Sequence, residues 1–114
     1  MISFACKQIE LKDLIKCSFD LNKTDYNLFI YLLTSKENLT TNEIAKEIGL
    51  DRTSVQKSIK RLVEKTLVIR NQENLSGGGY IFSYIIKDKS LIKNQVMDMI
   101  SAWNKKVRLE IEKW

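Results

Sequence analysis

The sequence predicts a mainly helical α+β domain that ends in a long helix, and three features lead to this prediction. Proline is absent and only four glycines occur, so helices should be long and rarely interrupted. Apolar residues recur with a helical period over most of the chain, and only after Lys65 does the period shorten to about two residues. Three adjacent glycines at 77–79 form the clearest loop. The expected order is four helices, a β-hairpin and a closing helix.

Composition and charge restrict the classes of function that the chain can perform. The 114 residues suffice for one domain, and 19 lysines and arginines against 14 acids give a formal net charge of +5. This charge favours a polyanionic partner such as a nucleic acid. Histidine is absent and only two cysteines occur, so the commonest general base and the usual metal ligands are missing. We therefore expect no enzyme, no metal site and no cofactor.

The sequence carries no sign of a membrane or secreted protein. It contains no apolar run of about 18 residues, the length that predicts a transmembrane helix. Residues 1–15 interleave charged with apolar side chains, unlike a signal peptide. We expect a cytoplasmic protein without membrane contact, whose thiols are kept reduced.

Capping signals define the helices of the first half. Residues 7–17 predict a first helix, and Thr24 followed by Asp25 predicts the start of a second, strongly apolar one. Thr40 and Glu43 have the spacing of a capping box at the start of a third helix.

A fourth helix follows closely on the third. Gly49 fits the left-handed position that ends the third helix, and Asp51 fits the N-cap of the next. Val55, Ile59 and Leu62 then recur along one side of this fourth helix. Two short helices around a glycine turn predict a helix-turn-helix.

The outward positions of the fourth helix have the chemistry of a DNA-reading surface. Residues 52–65 carry five basic side chains against one acid, Glu64. Short hydroxyl and amide groups near a helix N-terminus can reach base edges, and cations further along can hold phosphates. The candidate DNA-binding residues of the two helices are Thr41, Arg52, Thr53, Ser54, Gln56, Lys57, Lys60 and Arg61.

Segments 67–70 and 80–86 predict the two strands of the hairpin, with a long polar tip at 71–79. The hairpin adds Arg70, Asn71 and Gln72 to the candidate DNA-binding residues. A helix-turn-helix followed by such a hairpin is the winged variant, which favours double-stranded DNA as the partner. The charged surface of the fourth helix also has a simpler interpretation, because any solvent-exposed helix carries charged side chains. A winged-helix module that binds another protein, for example within the transcription machinery, is the alternative function.

Three aromatic residues alternate along the second strand of the hairpin. Tyr80, Phe82 and Tyr84 share one face. Such a face can stack bases, as in proteins that bind single strands. Packing in the core beneath the fourth helix is the interpretation that we favour from the sequence.

The helix-turn-helix segment resembles a known family. The segment TNEIAKEIGL at 41–50, followed by DRTSVQKSIKRL at 51–62, resembles the core of small stand-alone archaeal winged helix-turn-helix regulators, MarR-like and TrmB-like. The resemblance continues through the hairpin and the closing helix and covers most of the chain. It implies a winged helix-turn-helix fold, a dimer and transcriptional regulation, but no particular operator or effector.

The closing helix predicts an assembly. An apolar stripe continues to the last residue and comprises Val96, Ile100, Trp103, Val107, Ile111 and Trp114. A small domain cannot cover a helix of this length, so we favour a homodimer contact over a fraying tail. We expect a DNA-binding domain at 1–87 and a dimerisation helix at 88–114.

Cys6 and Cys17 are the only thiols. A free cysteine most often serves as a small buried apolar residue. The alternative, functional interpretation is that the two cysteines sense redox conditions. On one continuous helix the two would lie too far apart for a disulfide, so any native cross-link would join two chains.

Overall fold

The computed structural model describes residues 1–114 and contains five helices and two antiparallel hairpins. In chain order the elements are β1 (Ile2–Ser3), β2 (Gln8–Ile9), α1 (Leu11–Phe19), α2 (Lys23–Ser35), α3 (Thr41–Ile48), α4 (Arg52–Glu64), β3 (Val68–Asn74), β4 (Tyr80–Ile86) and α5 (Lys89–Glu112). The predicted mainly helical α+β class is confirmed. No helix combines the length and the apolar character needed to cross a membrane.

The chain divides into two compact units. One unit is Leu21–Lys87 and contains α2, α3, α4 and the hairpin of β3 and β4. The other combines Met1–Asp20 with Asp88–Trp114, and in it α1 contacts α5.

The core of the unit Leu21–Lys87 lies between its three helices. Helix α2 buries Leu28, Phe29 and Leu32, and α3 buries Ile44. Helix α4 buries Val55, Ile59 and Leu62, the stripe predicted from the helical period. The opposite side of α4 is thereby directed to solvent.

The helix ends of the helix-turn-helix lie where local chemistry predicts them. Thr40 and Glu43 form a reciprocal capping box at the start of α3. Gly49 ends α3 with φ of +70°, a left-handed conformation that costs other residues energy. The carboxylate of Asp51 caps α4. The N-cap of α2, however, is Asn22 and not Thr24, because Asn22 forms its own capping box with Asp25.

The β3–β4 hairpin is longer than predicted. Seven residues pair on each strand, from Val68 opposite Ile86 to Asn74 opposite Tyr80, so the turn spans only 75–79. The long tip predicted at 71–79 is wrong because polar side chains on an exposed two-stranded ribbon do not interrupt backbone pairing. Leu39 adds a bridge to Tyr84 on the other edge of β4, with backbone hydrogen bonds of 2.8 and 2.9 Å.

The N-terminal region also differs from the prediction. Residues 7–10 are not helical: Gln8–Ile9 pairs with Ile2–Ser3, and α1 begins only at Leu11. Cys6 therefore lies in the turn of this small hairpin while Cys17 lies on α1, so the argument from one continuous helix does not apply. Both thiols are exposed, so the expectation of buried cysteines is wrong as well.

Candidate nucleic-acid interface

Helix α4 presents a polar, cationic surface. The capped turn between α3 and α4 fixes where α4 begins, and its apolar stripe fixes which side faces outward. The exposed side chains among the predicted DNA-binding residues of α4 are Arg52, Thr53, Gln56, Lys57 and Lys60. Glu64 is the single acid on the helix.

Ser54 differs from its exposed neighbours because it completes the N-cap. Its backbone N–H donates to Asp51 Oδ2 at 3.0 Å, and its hydroxyl donates to Asp51 Oδ1 at 2.6 Å. These two hydrogen bonds lower the pKa of the Asp51 carboxyl. The hydroxyl proton of Ser54 is thus committed to the cap, and only the acceptor capacity of its oxygen is left for a base edge.

Arg61 does not join the outward cations that the sequence predicts. Its Nε donates to both carboxylate oxygens of Asp25, at 3.0 and 3.1 Å, and its Nη2 donates to Oδ1 at 2.8 Å. Asp25 lies on α2, 36 residues earlier in the chain. Arg61, expected on the outer face, is only partly exposed, because this partner draws its guanidinium back toward α2.

Asp25 is the acceptor at the centre of a small polar network in the core. Its side chain is only 1% exposed, and besides Arg61 it accepts from the hydroxyl of Ser58 and the backbone N–H of Asn22. Burial raises the pKa of its carboxyl, but the hydrogen bonds from Arg61 and Ser58 outweigh burial and hold the pKa below its ordinary value. The network connects the start of α2 to the middle of α4.

The hairpin divides its predicted residues between two faces. Arg70 lies over the ring of Phe82, with its guanidinium carbon 4.4 Å from the ring centroid. Gln72 is opposite Phe82 in the ladder and shares this face. Asn71 points to the other face, where its amide donates to Asn38 Oδ1 at 2.7 Å.

A cleft of about 640 Å³ lies between α4 and the hairpin. Five of the predicted DNA-binding residues line it: Thr41, Arg52, Gln56, Lys60 and Arg70. Those outside its lining are Thr53, Ser54, Lys57, Arg61, Asn71 and Gln72.

Aromatic residues form much of the other wall of the cleft. Tyr80, Phe82 and Tyr84 all line it. Tyr80 is 59% exposed, and Phe82 and Tyr84 are only half-buried, so the favoured interpretation of core packing is wrong. The period-two spacing correctly places the three rings on one face. The spacing does not predict whether that face points to the core or to solvent, because this depends on tertiary packing.

The predicted stripe on α5 is largely uncovered. Val96 and Ile100 are half-buried. The later members are exposed, with Trp103 at 59% and Ile111 at 50%, and Trp114, which lies beyond the end of α5, is 98% exposed.

Together the fold and this surface define a winged-helix transcriptional regulator. Residues 15–89 match the family model described as the sugar-specific transcriptional regulator TrmB, and the chain belongs to this family. It is 36% identical to a solved structure described as a possible transcriptional regulator from Methanosarcina mazei Go1. The two match with a TM-score of 0.92 over 100% of this chain and 96% of that one.

Two further similarities are found. An uncharacterized protein of Methanocaldococcus jannaschii is 27% identical over 98% of this chain and 88% of its own length. A mutant of MepR from S. aureus, solved bound to an oligodeoxyribonucleotide, is 16% identical with a TM-score of 0.57, over 90% of this chain and 72% of that one. The latter shows the shared fold. The predicted resemblance to TrmB-like and MarR-like regulators is thus confirmed.

Proposed function

We propose that the protein is a homodimeric transcriptional regulator that binds double-stranded DNA sequence-specifically, with α4 in the major groove. One observation carries this proposal: α4 exposes a row of cationic and amide side chains directly beside a hairpin that also carries a cation. A recognition helix next to a wing is the arrangement with which this fold contacts a groove and the adjacent backbone.

The exposed side chains of α4 suit different tasks. Arg52 and Gln56 lie four positions apart on one side of the helix, and these residue types make paired hydrogen bonds to guanine and adenine edges. Thr53 and Lys57 occupy the neighbouring side and complete the base-reading set, with the oxygen of Ser54 as an acceptor. This half of α4 would therefore set the sequence preference.

Other residues suit the phosphate backbone. Lys60, further along α4, and Arg70 on the hairpin are cations beside the same cleft. Thr41 at the first turn of α3 offers a hydroxyl and a helix N-terminus. Gln72, on the same face as Arg70, extends the contact along the hairpin, whereas Asn71 would contact DNA only from the other face. These residues would set affinity and its dependence on salt, with little effect on sequence preference.

The uncovered stripe of α5 supports the homodimer. Trp103 and Trp114 offer large apolar surfaces to solvent, and burial stabilises by about 25 cal/mol per Å². A second copy presents the same stripe, so a two-fold contact would cover both at once. A dimer would also bring two copies of α4 to half-sites about one helical turn of DNA apart.

Selection of genomic fragments by the purified chain tests this proposal. Bound fragments are sequenced and then titrated at increasing salt. The proposal predicts enrichment of a shared two-fold motif and an affinity that falls steeply with salt. Binding without any shared motif would contradict sequence-specific recognition, and no binding at low salt would favour a protein partner instead.

A further inference from the structure

The cleft beside α4 has features that contact with a paired duplex does not require. Tyr80, Phe82 and Tyr84 turn their shared face toward the cleft, and Tyr80 keeps 59% of its surface exposed. The rings of Tyr80 and Phe82 lie 5.1 Å apart at an angle of 60°. Bases in an intact duplex are stacked on each other and cannot lie flat on such rings. An unpaired base can, because both of its faces are free.

The rings are accompanied by cations. Arg52 and Lys60 line the cleft from α4, and Arg70 lines it from the hairpin, against the single acid Glu64. The guanidinium of Arg70 already lies over the ring of Phe82, so Tyr80 is the ring of this face that is left open to a base. Aromatic rings bordered by cations are the combination that binds single-stranded nucleic acid, since bases stack while phosphates pair with the charges.

The cleft is large enough to admit a single nucleotide. Its volume of about 640 Å³ lies inside the range of roughly 300–1,000 Å³ in which small-molecule sites fall. A duplex can fill such a recess only with its sugar-phosphate backbone or with an extruded base.

We propose that this cleft binds an unpaired nucleotide of a DNA strand, with the base against the exposed ring of Tyr80 and a flanking phosphate facing Lys60. The inference rests on the proposed function, because it assumes that α4 lies against DNA. It adds a preference of its own: DNA with an unpaired base should bind more tightly than the same duplex fully paired.

Fluorescence anisotropy with two matched probes tests this preference. One probe is a 20-base-pair duplex and the other is the same duplex with a two-thymine bulge at its centre; no operator is required, because phosphate contacts bind any sequence at low salt. We expect the wild-type chain to bind the bulged probe roughly tenfold more tightly, the low end of what stacking of one base provides. In Tyr80→Leu the ratio of the two affinities should fall toward one.

Two controls separate stacking from loss of fold. Tyr31→Leu removes a tyrosine of α2 that does not line the cleft, and it should keep the tenfold ratio. A 2-aminopurine placed in the bulge reports stacking directly, and its fluorescence should be quenched by the wild type but not by Tyr80→Leu.

The outcomes are distinct. Tight binding of the paired duplex with a ratio near one and no quenching would overturn this inference and leave the proposed function intact. No binding of either probe would overturn both.

Discussion

Arg61 holds the carboxylate of Asp25 with Nε and Nη2 together, at distances between 2.8 and 3.1 Å. The carboxylate is almost fully buried, whereas 39% of the arginine side chain remains exposed. Ser58, one turn before Arg61, donates to the same carboxylate. Helix α4 is therefore attached to α2 by a charged contact as well as by its apolar stripe, and this contact engages one of the cations of α4.

Asp25→Asn tests this attachment through stability and pH. The pKa of Asp25 is lowered in the folded chain, so its contribution to stability is complete above the unfolded value of about 3.9 and is lost as pH falls through the lower folded value. We expect the substitution to cost about 2 kcal/mol at pH 7, because Arg61 and Ser58 lose their charged acceptor. Urea titrations should show that the free energy of unfolding differs less between wild type and variant at pH 3 than at pH 7. An equal difference at both would contradict the ionised contact.

Lys60 and Arg61 are adjacent cations for which the structure predicts opposite behaviour. Lys60→Ala should weaken binding to every duplex and reduce the slope of log affinity against log salt by about one. Arg61→Ala should lower stability but leave the slope unchanged, because its guanidinium already neutralises Asp25. Anisotropy titrations over a range of salt concentrations decide this. A reduced slope in Arg61→Ala would show that Arg61 contacts phosphate after all.

Gly49 has a conformation that only glycine adopts without strain. With φ of +70° it closes α3 before the turn into α4. Gly49→Ala should lower the free energy of unfolding by about 1 kcal/mol, although nothing lies within 4 Å of the added Cβ. Gly77→Ala is the matched control, because Gly77 has equal space and no positive φ. Thermal melting compares them, and equal melting temperatures would contradict the prediction.

Trp103→Asp tests the proposed dimer. A carboxylate in the middle of the α5 stripe would have to be desolvated in the contact, so the variant should sediment as a monomer and bind DNA far more weakly. Lys105→Gln makes the same change in net charge about 200° around the helix, and it should remain dimeric. A wild-type chain that sediments at 13.3 kDa at micromolar concentration would refute the dimer.

The parts of the fold that were predictable are those fixed by neighbours in sequence. The capping box of Thr40 and Glu43, the turn at Gly49 and the cap at Asp51 each need only three or four residues, so the helix-turn-helix could be placed closely. The buried stripe of α4 follows from its period alone.

What could not be predicted depends on distant partners. Arg61 binds Asp25, which lies 36 residues earlier in the chain. No local sequence pattern distinguishes Arg61 from Lys60. The short strands β1 and β2 form only because they pair with each other. Likewise the alternation of aromatic residues along β4 is visible in the sequence. The exposure of these residues depends on where the hairpin lies against α4.

Comparison of Gln56→Ala with wild type on selected fragments tests most directly whether α4 reads DNA sequence. Both proteins are used to enrich fragments from one random duplex pool at the same salt concentration, and the enriched motifs are compared. We predict that Gln56→Ala retains binding at low salt but loses preference at one position of each half-site, with a cost of about 1–3 kcal/mol on the wild-type motif. Identical motifs and affinities for the two proteins would contradict the assignment of α4 as the recognition helix.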